Sequence, residues 1–115
     1  MLKIMSVLSL LLILAQSAVA ADRVVKCEIN SENNQVYKGK CKFMPESGGS
    51  FSLSNLTDKP LFGETLVVSV YVVEKGIAEV RGLTKSGINS RWGEAKRSQK
   101  DKACWDGEDF RICAR

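Results

Sequence analysis

The sequence predicts an all-β protein, a small antiparallel sandwich or barrel of about seven or eight short strands with two disulfides. Three observations predict this fold. Segments rich in β-branched residues recur, turn formers separate them at intervals of about ten residues, and the cysteines form an even set in a short chain. Beyond the first 20 residues, no segment has a convincing helical pattern.

The first 20 residues predict a secretory signal peptide. One charged residue, Lys3, precedes the apolar run Val7 to Ala15, and the small residues Ala18-Val19-Ala20 close the segment. The apolar run is far shorter than the roughly 20 residues that a helix needs to cross a bilayer, so we expect cleavage rather than a membrane anchor. We therefore interpret residues 1–20 as a signal peptide and residues 21–115 as a single disulfide-bonded β domain, periplasmic or secreted and not membrane-spanning.

All four cysteines, Cys27, Cys41, Cys104 and Cys113, lie in the predicted exported domain. An even number of cysteines in a short secreted chain indicates disulfides. Four cysteines permit three pairings, and the sequence alone does not choose among them. The spacing favours Cys27 with Cys41 and Cys104 with Cys113, because each pair lies at the two ends of a candidate hairpin, 14 and 9 residues apart.

The first half of the domain is predicted to form a hairpin followed by a short strand. The segments 23–29 and 35–44 have extended patterns and flank the turn formers Asn30 to Asn34. Phe51 to Ser54 then alternates apolar and hydroxyl residues, as a half-buried strand does. A second loop by composition runs from Asn55 to Gly63.

The second half of the domain contains its most apolar stretch. Glu64 to Val73 is dense in valine, which predicts a central strand that is buried on both faces. Ile77 to Thr84 is the predicted partner strand, and Ile88 to Lys96 is a further candidate strand.

The last segment is the best-defined local unit. A simple hairpin centred on Glu108 and Asp109 places Cys104 opposite Cys113. Facing residues of adjacent antiparallel strands lie about 5.5 Å apart or less between α-carbons, which a disulfide spans. The same register places Trp105 opposite Ile112.

The composition narrows the chemistry available to the domain. The chain has no histidine, which excludes triads with an imidazole base and histidine-ligated metal sites. Asp106, Glu108 and Asp109 lie in a predicted exposed turn, whereas glycosidase carboxylates work in a substrate cleft. We therefore expect a binding protein rather than an enzyme, with no cofactor and no metal.

The segment from Lys85 to Lys102 predicts the binding surface. It carries six basic and two acidic residues, a net charge of +4 that equals that of the whole chain. Arginine and tryptophan are enriched where interfaces concentrate their binding energy, and two glycines allow a projecting loop. The predicted binding residues are Ser86, Gly87, Asn89, Arg91, Trp92, Lys96 and Arg97. The alternative is a solvated edge with Trp92 in the core.

A basic patch favours a protein with an acidic surface or an anionic envelope component as the partner. Nucleic acid is not expected, because the compartment is wrong, aromatic residues are few and no nucleic-acid-binding signature occurs. The competing hypothesis is a structural or stress-related envelope protein without a discrete ligand.

The cysteine motifs carry a first resemblance. The chain has Gly39-Lys40-Cys41-Lys42-Phe43, then Trp92-Gly93, Ala103-Cys104-Trp105 and Ile112-Cys113-Ala114. In these motifs it resembles a group of small exported bacterial proteins with four cysteines that share the patterns G-x-C-x-F, A-C-W and I-C-A. The resemblance implies export and disulfides, and it implies no particular activity.

A second, looser resemblance rests on size, export, cysteine content and the β-rich pattern. In these features the chain is similar to bacterial periplasmic lysozyme inhibitors, small β barrels that insert a loop into a lysozyme active site. Their motif combines Ser-Gly, an aromatic residue and a later tryptophan. Ser86-Gly87 with Trp92, or Ser47-Gly48 with Phe51, matches parts of it. The similarity implies an inhibitor of a hydrolase such as lysozyme, envelope-directed or from a host.

Overall fold

The computed structural model describes residues 20–115, so the predicted signal peptide, apart from Ala20, lies outside the described residues. The described chain forms eight strands: β1 (Arg23–Ser31), β2 (Asn34–Pro45), β3 (Phe51–Ser54), β4 (Thr65–Glu74), β5 (Ile77–Thr84), β6 (Asn89–Arg97), β7 (Cys104–Asp106) and β8 (Arg111–Ala114). Each strand pairs antiparallel with the next, and β8 pairs with β1 to close a barrel. The all-β prediction is confirmed, and the architecture is the barrel rather than the sandwich.

The first hairpin is tighter than the sequence suggested. The turn formers Asn30 to Asn34 predict a five-residue turn, but the turn consists of Glu32 and Asn33 alone, because Ser31 already pairs with Asn34. Both turn residues have positive φ, 52° and 61°. Two such residues give the backbone twist that joins twisted antiparallel strands without splaying them.

Strand β4 is buried on both faces only at its centre. Val68, Ser69 and Val70 are buried there, whereas Tyr71 and Val73 are 37% and 65% exposed. The prediction of a strand covered on both faces is therefore wrong for the rest of β4. A barrel is one sheet closed on itself, so no second layer covers its outer face.

The core fills the inside of the barrel. Alternate residues of each strand point inwards, and the largest fully buried apolar side chains come from five strands: Ile29, Leu53, Val68, Val70, Val80 and Ile112. Eight strands enclose a space just wide enough for side chains to fill. Sites for a partner are therefore expected at the ends of the barrel or on its outer face.

The terminal hairpin has the predicted register and the predicted disulfide. Cys104 faces Cys113 across β7 and β8, with their α-carbons 4.0 Å apart, and Trp105 faces Ile112. Trp105 and Ile112 belong to the core cluster inside the barrel. The disulfide therefore lies on the opposite, outer face of the same two strands.

The second predicted disulfide, between Cys27 and Cys41, lies inside the barrel. Cys27 faces Gly39 in the register of β1 and β2, so the bond crosses the ladder diagonally and joins α-carbons 5.9 Å apart. Two disulfides are typical of proteins that fold in an oxidising compartment. Among residues 20–115, the chain has no helix with the length and apolarity to span a membrane.

Successive connections between the strands lie alternately at the two ends of the barrel. We call the upper end the one formed by residues 20–23, 46–50, 75–76 and 98–103, and the lower end the one formed by residues 32–33, 55–64, 85–88 and 107–110. Phe43, Phe51 and Trp105 lie near the upper end, and Phe62, Trp92 and Phe110 lie near the lower end. Aromatic side chains thus close the core at both ends.

Candidate functional site

The predicted binding residues do not lie together. One group is at or near the lower end: Ser86, Gly87, Asn89, Arg91 and Trp92. The other group, Lys96 and Arg97, ends β6 at the upper end. Eight steps of about 3.3 Å separate the first and last residues of this strand by roughly 25 Å. The basic segment therefore contributes to two separate surfaces.

Trp92 is half-buried and packs like a core side chain. Its ring centroid lies 5.9 Å from that of Phe62 and 5.8 Å from that of Phe110. Its indole also covers Gly82, where a Cβ would come within 2.8 Å of the Nε1 atom. Phe62 belongs to the loop between β3 and β4, so Trp92 helps to hold that loop against the barrel.

Arg91 is engaged by a carboxylate on the neighbouring strand. Its Nη2 atom donates to Oε2 of Glu79 at 3.1 Å, and its Nε atom donates to Oε1 of the same side chain. A guanidinium and a carboxylate that bond through two parallel hydrogen bonds form the strongest geometry of an ion pair. The positive charge of Arg91 is therefore already balanced within the protein.

The turn at Ser86 and Gly87 projects from the lower end with a fixed shape. The Thr84 N–H donates to the Ile88 carbonyl at 2.9 Å, the Gly87 N–H donates to the Thr84 carbonyl at 3.0 Å, and the Ile88 N–H donates to the Thr84 hydroxyl at 3.2 Å. Gly87 has a φ of 84°, which glycine adopts without strain. Ile88 is 60% exposed on this turn.

The upper end contains a basic depression of about 190 Å³. We call it the upper cup and define it by three cations and three aromatic side chains that line it: Arg23, Arg97, Lys102, Phe43, Phe51 and Trp105. No acidic residue lines it. The sequence pointed to Arg97, placed Lys102 in the basic segment and matched Phe51 to part of the inhibitor motif, but it did not assign Arg23, Phe43 or Trp105 to a binding site.

Aromatic rings hold the first guanidinium of the upper cup. The Cζ atom of Arg23 lies 4.4 Å from the ring centroid of Phe43. The Phe43 ring in turn stacks on the Phe51 ring, with centroids 4.8 Å apart. The negative face of an aromatic ring attracts a cation. Arg23 is thus positioned without the loss of its charge.

The second guanidinium is held by a ring and by a backbone carbonyl. Arg97 faces Trp105 in the register of β6 and β7, and its Cζ atom lies 5.7 Å from the Trp105 ring centroid. Its Nε atom donates to the carbonyl oxygen of Lys102 at 2.9 Å. These contacts leave the two terminal nitrogens of Arg97 without a hydrogen-bond acceptor among the described residues.

The acidic side chains of the upper end are engaged away from the upper cup. Asp22 pairs with Lys42 at 3.6 Å, Asp101 pairs with Arg115 at 2.7 Å, and Glu46 accepts a hydrogen bond from the Ser52 hydroxyl at 3.4 Å. Within residues 20–115, neither Arg23 nor Arg97 has a carboxylate oxygen within 4.0 Å. Two ordered positive charges therefore face one depression without a counter-charge.

The loop between β6 and β7, which contributes Lys102, is fixed by Asp101. The Arg115 side chain donates to the Asp101 carboxylate, and the Ala103 N–H donates to its Oδ1 atom at 3.1 Å. These hydrogen bonds lower the pKa of Asp101, first through Arg115 and then through Ala103. The Ser98 hydroxyl also accepts a hydrogen bond from the Asp101 N–H at 3.2 Å.

The two ends differ in charge. The lower end carries five acidic residues (Glu32, Asp58, Glu64, Glu108 and Asp109) and two basic ones (Lys59 and Lys85). The upper end has an excess of basic residues instead, with Arg23, Lys75, Lys100 and Lys102 in its loops against Asp22, Glu46 and Asp101. The net basic charge of the chain is therefore not spread evenly over the barrel.

Comparisons with protein-family models, with curated proteins and with solved structures found no match for this chain. The two resemblances drawn from the sequence stay predictions. Within residues 20–115, no group of three or more histidine, cysteine, aspartate or glutamate side chains is placed to hold a metal ion.

Proposed function

We propose that this protein is exported to the periplasm or secreted and serves there as a non-catalytic binding protein, which engages an anionic envelope component through the upper cup. The observation that carries the proposal is the pair of guanidinium groups, of Arg23 and Arg97, that line one depression and lack a carboxylate partner among the described residues. Export is supported by the signal-like first 20 residues and by the two disulfides.

The contrast with three other arginines strengthens this argument. Arg91, Arg111 and Arg115 each form an ion pair with a carboxylate of the barrel. In the part of the chain that the structure describes, Arg81 forms no such pair, but it lies outside the upper cup and donates a hydrogen bond to a backbone carbonyl of β6. Arg23 and Arg97 instead lie against aromatic rings, which orient a guanidinium and leave its charge available. A positively charged concave surface attracts anions and raises their rate of association.

Binding to anionic surfaces tests the proposal. Oxidised protein comprising residues 21–115 is passed over phosphatidylglycerol vesicles and over immobilised polyglutamate, which represents an acidic protein surface. We expect salt-sensitive binding to the vesicles that weakens by about tenfold or more in Arg23→Gln/Arg97→Gln, because charge-assisted hydrogen bonds are lost. Binding to polyglutamate alone would favour an acidic protein as the partner instead.

A matched variant removes two positive charges from the other end. Lys59→Gln/Lys85→Gln lowers the net charge equally but lies at the lower end, so we expect its affinity to remain close to that of the wild type. Equal losses in the two double variants would show that net charge, rather than the upper cup, causes the binding. No binding to either surface would favour a structural or stress-related envelope protein.

The lower end supports a second candidate function, inhibition of a hydrolase such as lysozyme. The specific observation is the hydrogen-bonded turn before β6, which presents Ile88 with 60% of its surface exposed. Lysozymes of the c type are basic, and the acidic excess of the lower end favours the approach of a basic enzyme in spite of the basic net charge of the chain.

A lysozyme activity assay tests this second candidate. We expect that the protein slows lysis of bacterial cell walls and that Ile88→Ser abolishes most of this effect. Leu56→Ser is the matched control, because Leu56 is also an exposed apolar residue of the lower end, at 49%. Unchanged lysozyme activity with the wild type, or equal effects of the two substitutions, would remove the lower-end turn from consideration.

A further inference from the structure

The shape of the upper cup restricts the anion that it accepts. A guanidinium is a planar fork of donors that matches two oxygens of a phosphate or a carboxylate at once. The Nε atom of Arg97 is already bonded to the Lys102 carbonyl, so the free edge of this fork is the one formed by its two terminal nitrogens. The ring of Trp105 also faces this guanidinium, with its centroid 5.7 Å from Cζ of Arg97.

The charge of the upper cup favours a ligand with more than one negative charge. Arg23, Arg97 and Lys102 bring three positive charges to its lining, and no acidic residue lines it. The three acids of the upper end are engaged with Lys42, Arg115 and Ser52. A single carboxylate would leave two of these charges uncompensated, whereas a phosphate monoester carries a charge of about −1.5 to −2 at pH 7.

The size of the upper cup also bears on the ligand. Its volume of about 190 Å³ corresponds to roughly six water molecules at about 30 Å³ each. This space accommodates a phosphate group and the first atoms of whatever carries it. The aromatic side chains among its lining residues offer those atoms apolar contacts.

We infer that the upper cup is a phosphate-monoester site, in which Arg23 and Arg97 grip the phosphate oxygens and Lys102 adds a third positive charge. This inference rests on the proposed function, because it names the chemistry of the anion that the same surface binds. The phosphate is presented by a phosphorylated sugar or by a phosphorylated lipid headgroup.

The two tryptophans provide a built-in test by nuclear magnetic resonance. Trp105 lines the upper cup, whereas Trp92 lies near the lower end. The oxidised protein is titrated with glucose 1-phosphate, inorganic phosphate, sulfate and acetate while the indole N–H signals are followed. We expect phosphate ligands to shift the Trp105 signal with affinities at least about tenfold above that for acetate, and to leave the Trp92 signal in place. Sulfate, which is a dianion of the same shape, should also bind more tightly than acetate.

The pH dependence separates a dianion requirement from simple attraction. The second proton of a phosphate monoester binds with a pKa near 6. Arginine and lysine side chains stay charged between pH 5 and 7.5, and the chain has no histidine. We therefore expect affinity for glucose 1-phosphate to fall severalfold as the pH is lowered from 7.5 to 5, while affinity for sulfate changes little.

A conservative variant tests the fork geometry without loss of charge. Arg97→Lys keeps the positive charge but removes the paired donors, so we expect about a tenfold loss of affinity for glucose 1-phosphate. Lys85→Arg, at the lower end, is the control and should leave the affinity unchanged. Thermal unfolding of both variants establishes that they are folded at the titration temperature.

Vesicles identify the carrier. Tighter binding to phosphatidic acid vesicles than to glucose 1-phosphate assigns the site to a lipid headgroup, and the reverse order assigns it to a phosphorylated sugar. Equal affinities for glucose 1-phosphate and acetate, an affinity for glucose 1-phosphate that does not change with pH, or a shift of Trp92 instead of Trp105 would overturn the inference. The proposed function would survive such a result if Arg23→Gln/Arg97→Gln still abolished binding to phosphatidylglycerol vesicles. Only the assignment of a phosphate monoester as the ligand would then be wrong.

Discussion

Gly82 lies directly under the indole of Trp92, so close that a Cβ at position 82 would come within 2.8 Å of Nε1. The space is closed by the ring itself, which packs against Phe62 and Phe110 and has little freedom to retreat. We expect Gly82→Ala to lower the free energy of unfolding by roughly 1 to 3 kcal/mol, the usual cost of overpacking. Urea unfolding followed by circular dichroism measures it.

Two further variants identify the cause. Ser90 faces Gly82 on β6 and is exposed, so Ser90→Ala should change stability by less than about 0.5 kcal/mol. In a Trp92→Leu background, Gly82→Ala should cost less than in the wild type, because the smaller side chain leaves room for the methyl group. The same cost in both backgrounds would contradict the contact.

The disulfide between Cys104 and Cys113 joins two strands of only three and four residues. We expect Cys104→Ala/Cys113→Ala to lower the free energy of unfolding by about 2 to 4 kcal/mol. The loss should be accompanied by faster amide exchange in β7 and β8, because few backbone hydrogen bonds hold these strands. Hydrogen-exchange mass spectrometry measures the local effect, and unchanged protection of both strands would count against it.

Removal of the other disulfide is the comparison. Cys27 and Cys41 join β1 and β2, the two neighbouring strands with the longest ladder of the barrel. Cys27→Ala/Cys41→Ala should also destabilise the protein, but it should leave the exchange of the terminal hairpin close to that of the wild type. Peptide mapping under non-reducing conditions should recover both disulfides from the wild-type protein.

The ion pair of Asp101 and Arg115 makes stability depend on acidity. The pKa of Asp101 is lowered in the folded protein, mainly by the hydrogen bond from Arg115. A carboxyl group whose pKa is lower when folded stabilises the protein above its unfolded pKa, about 4, and this contribution is lost as the pH falls through the lower, folded value. Asp101→Asn should therefore be less stable than the wild type at pH 7, and the difference should vanish in strong acid.

Urea unfolding of the two proteins between pH 2 and pH 7 measures this difference. A carbon-detected titration of the Asp101 carboxyl group provides a direct check on the same quantity. A midpoint at or above the usual range for aspartate would contradict the role of Arg115. Added salt should reduce the difference at pH 7, since the pair is accessible to solvent.

The pairing of Arg91 with Glu79 predicts a modest energetic coupling. Arg91 is 61% exposed at its side chain and Glu79 is 24% exposed. Exposed pairs contribute about 0.2 to 1 kcal/mol, and two-point contact places this pair toward the upper part of that range. A double-mutant cycle with Arg91→Gln and Glu79→Gln measures the coupling. Additive effects of the two substitutions would show that the pair contributes nothing.

The sequence was sufficient to predict the terminal hairpin down to its register. Cys104 and Cys113 fix which residues face each other, and the two-residue period of a strand then places Trp105 opposite Ile112. Local information was enough here because the whole unit is contained in ten consecutive residues. The turn formers that separate most of the strands are also local signals, so the sequence alone was enough to predict them.

Long-range features were less accessible. The valine content of β4 indicates a strand but does not reveal how many layers cover it, and closure of the barrel depends on pairing between β1 and β8, the strands furthest apart in the chain. The upper cup was only partly found for the same reason. Arg97 stood out in a basic segment, whereas Arg23 joins it only because β1 and β6 both have one terminus at the upper end.

The closure of the barrel also joins the beginning and the end of the described domain. Lys26 and Arg115 exchange backbone hydrogen bonds of 3.1 and 2.9 Å, so the chain before β1 and the chain after β8 leave the molecule side by side. The fold is thus nearly a ring, and a short peptide linker could connect residue 115 to residue 21. A circularly permuted protein opened at the Gly76 turn or at the Gly87 turn would keep every strand pair.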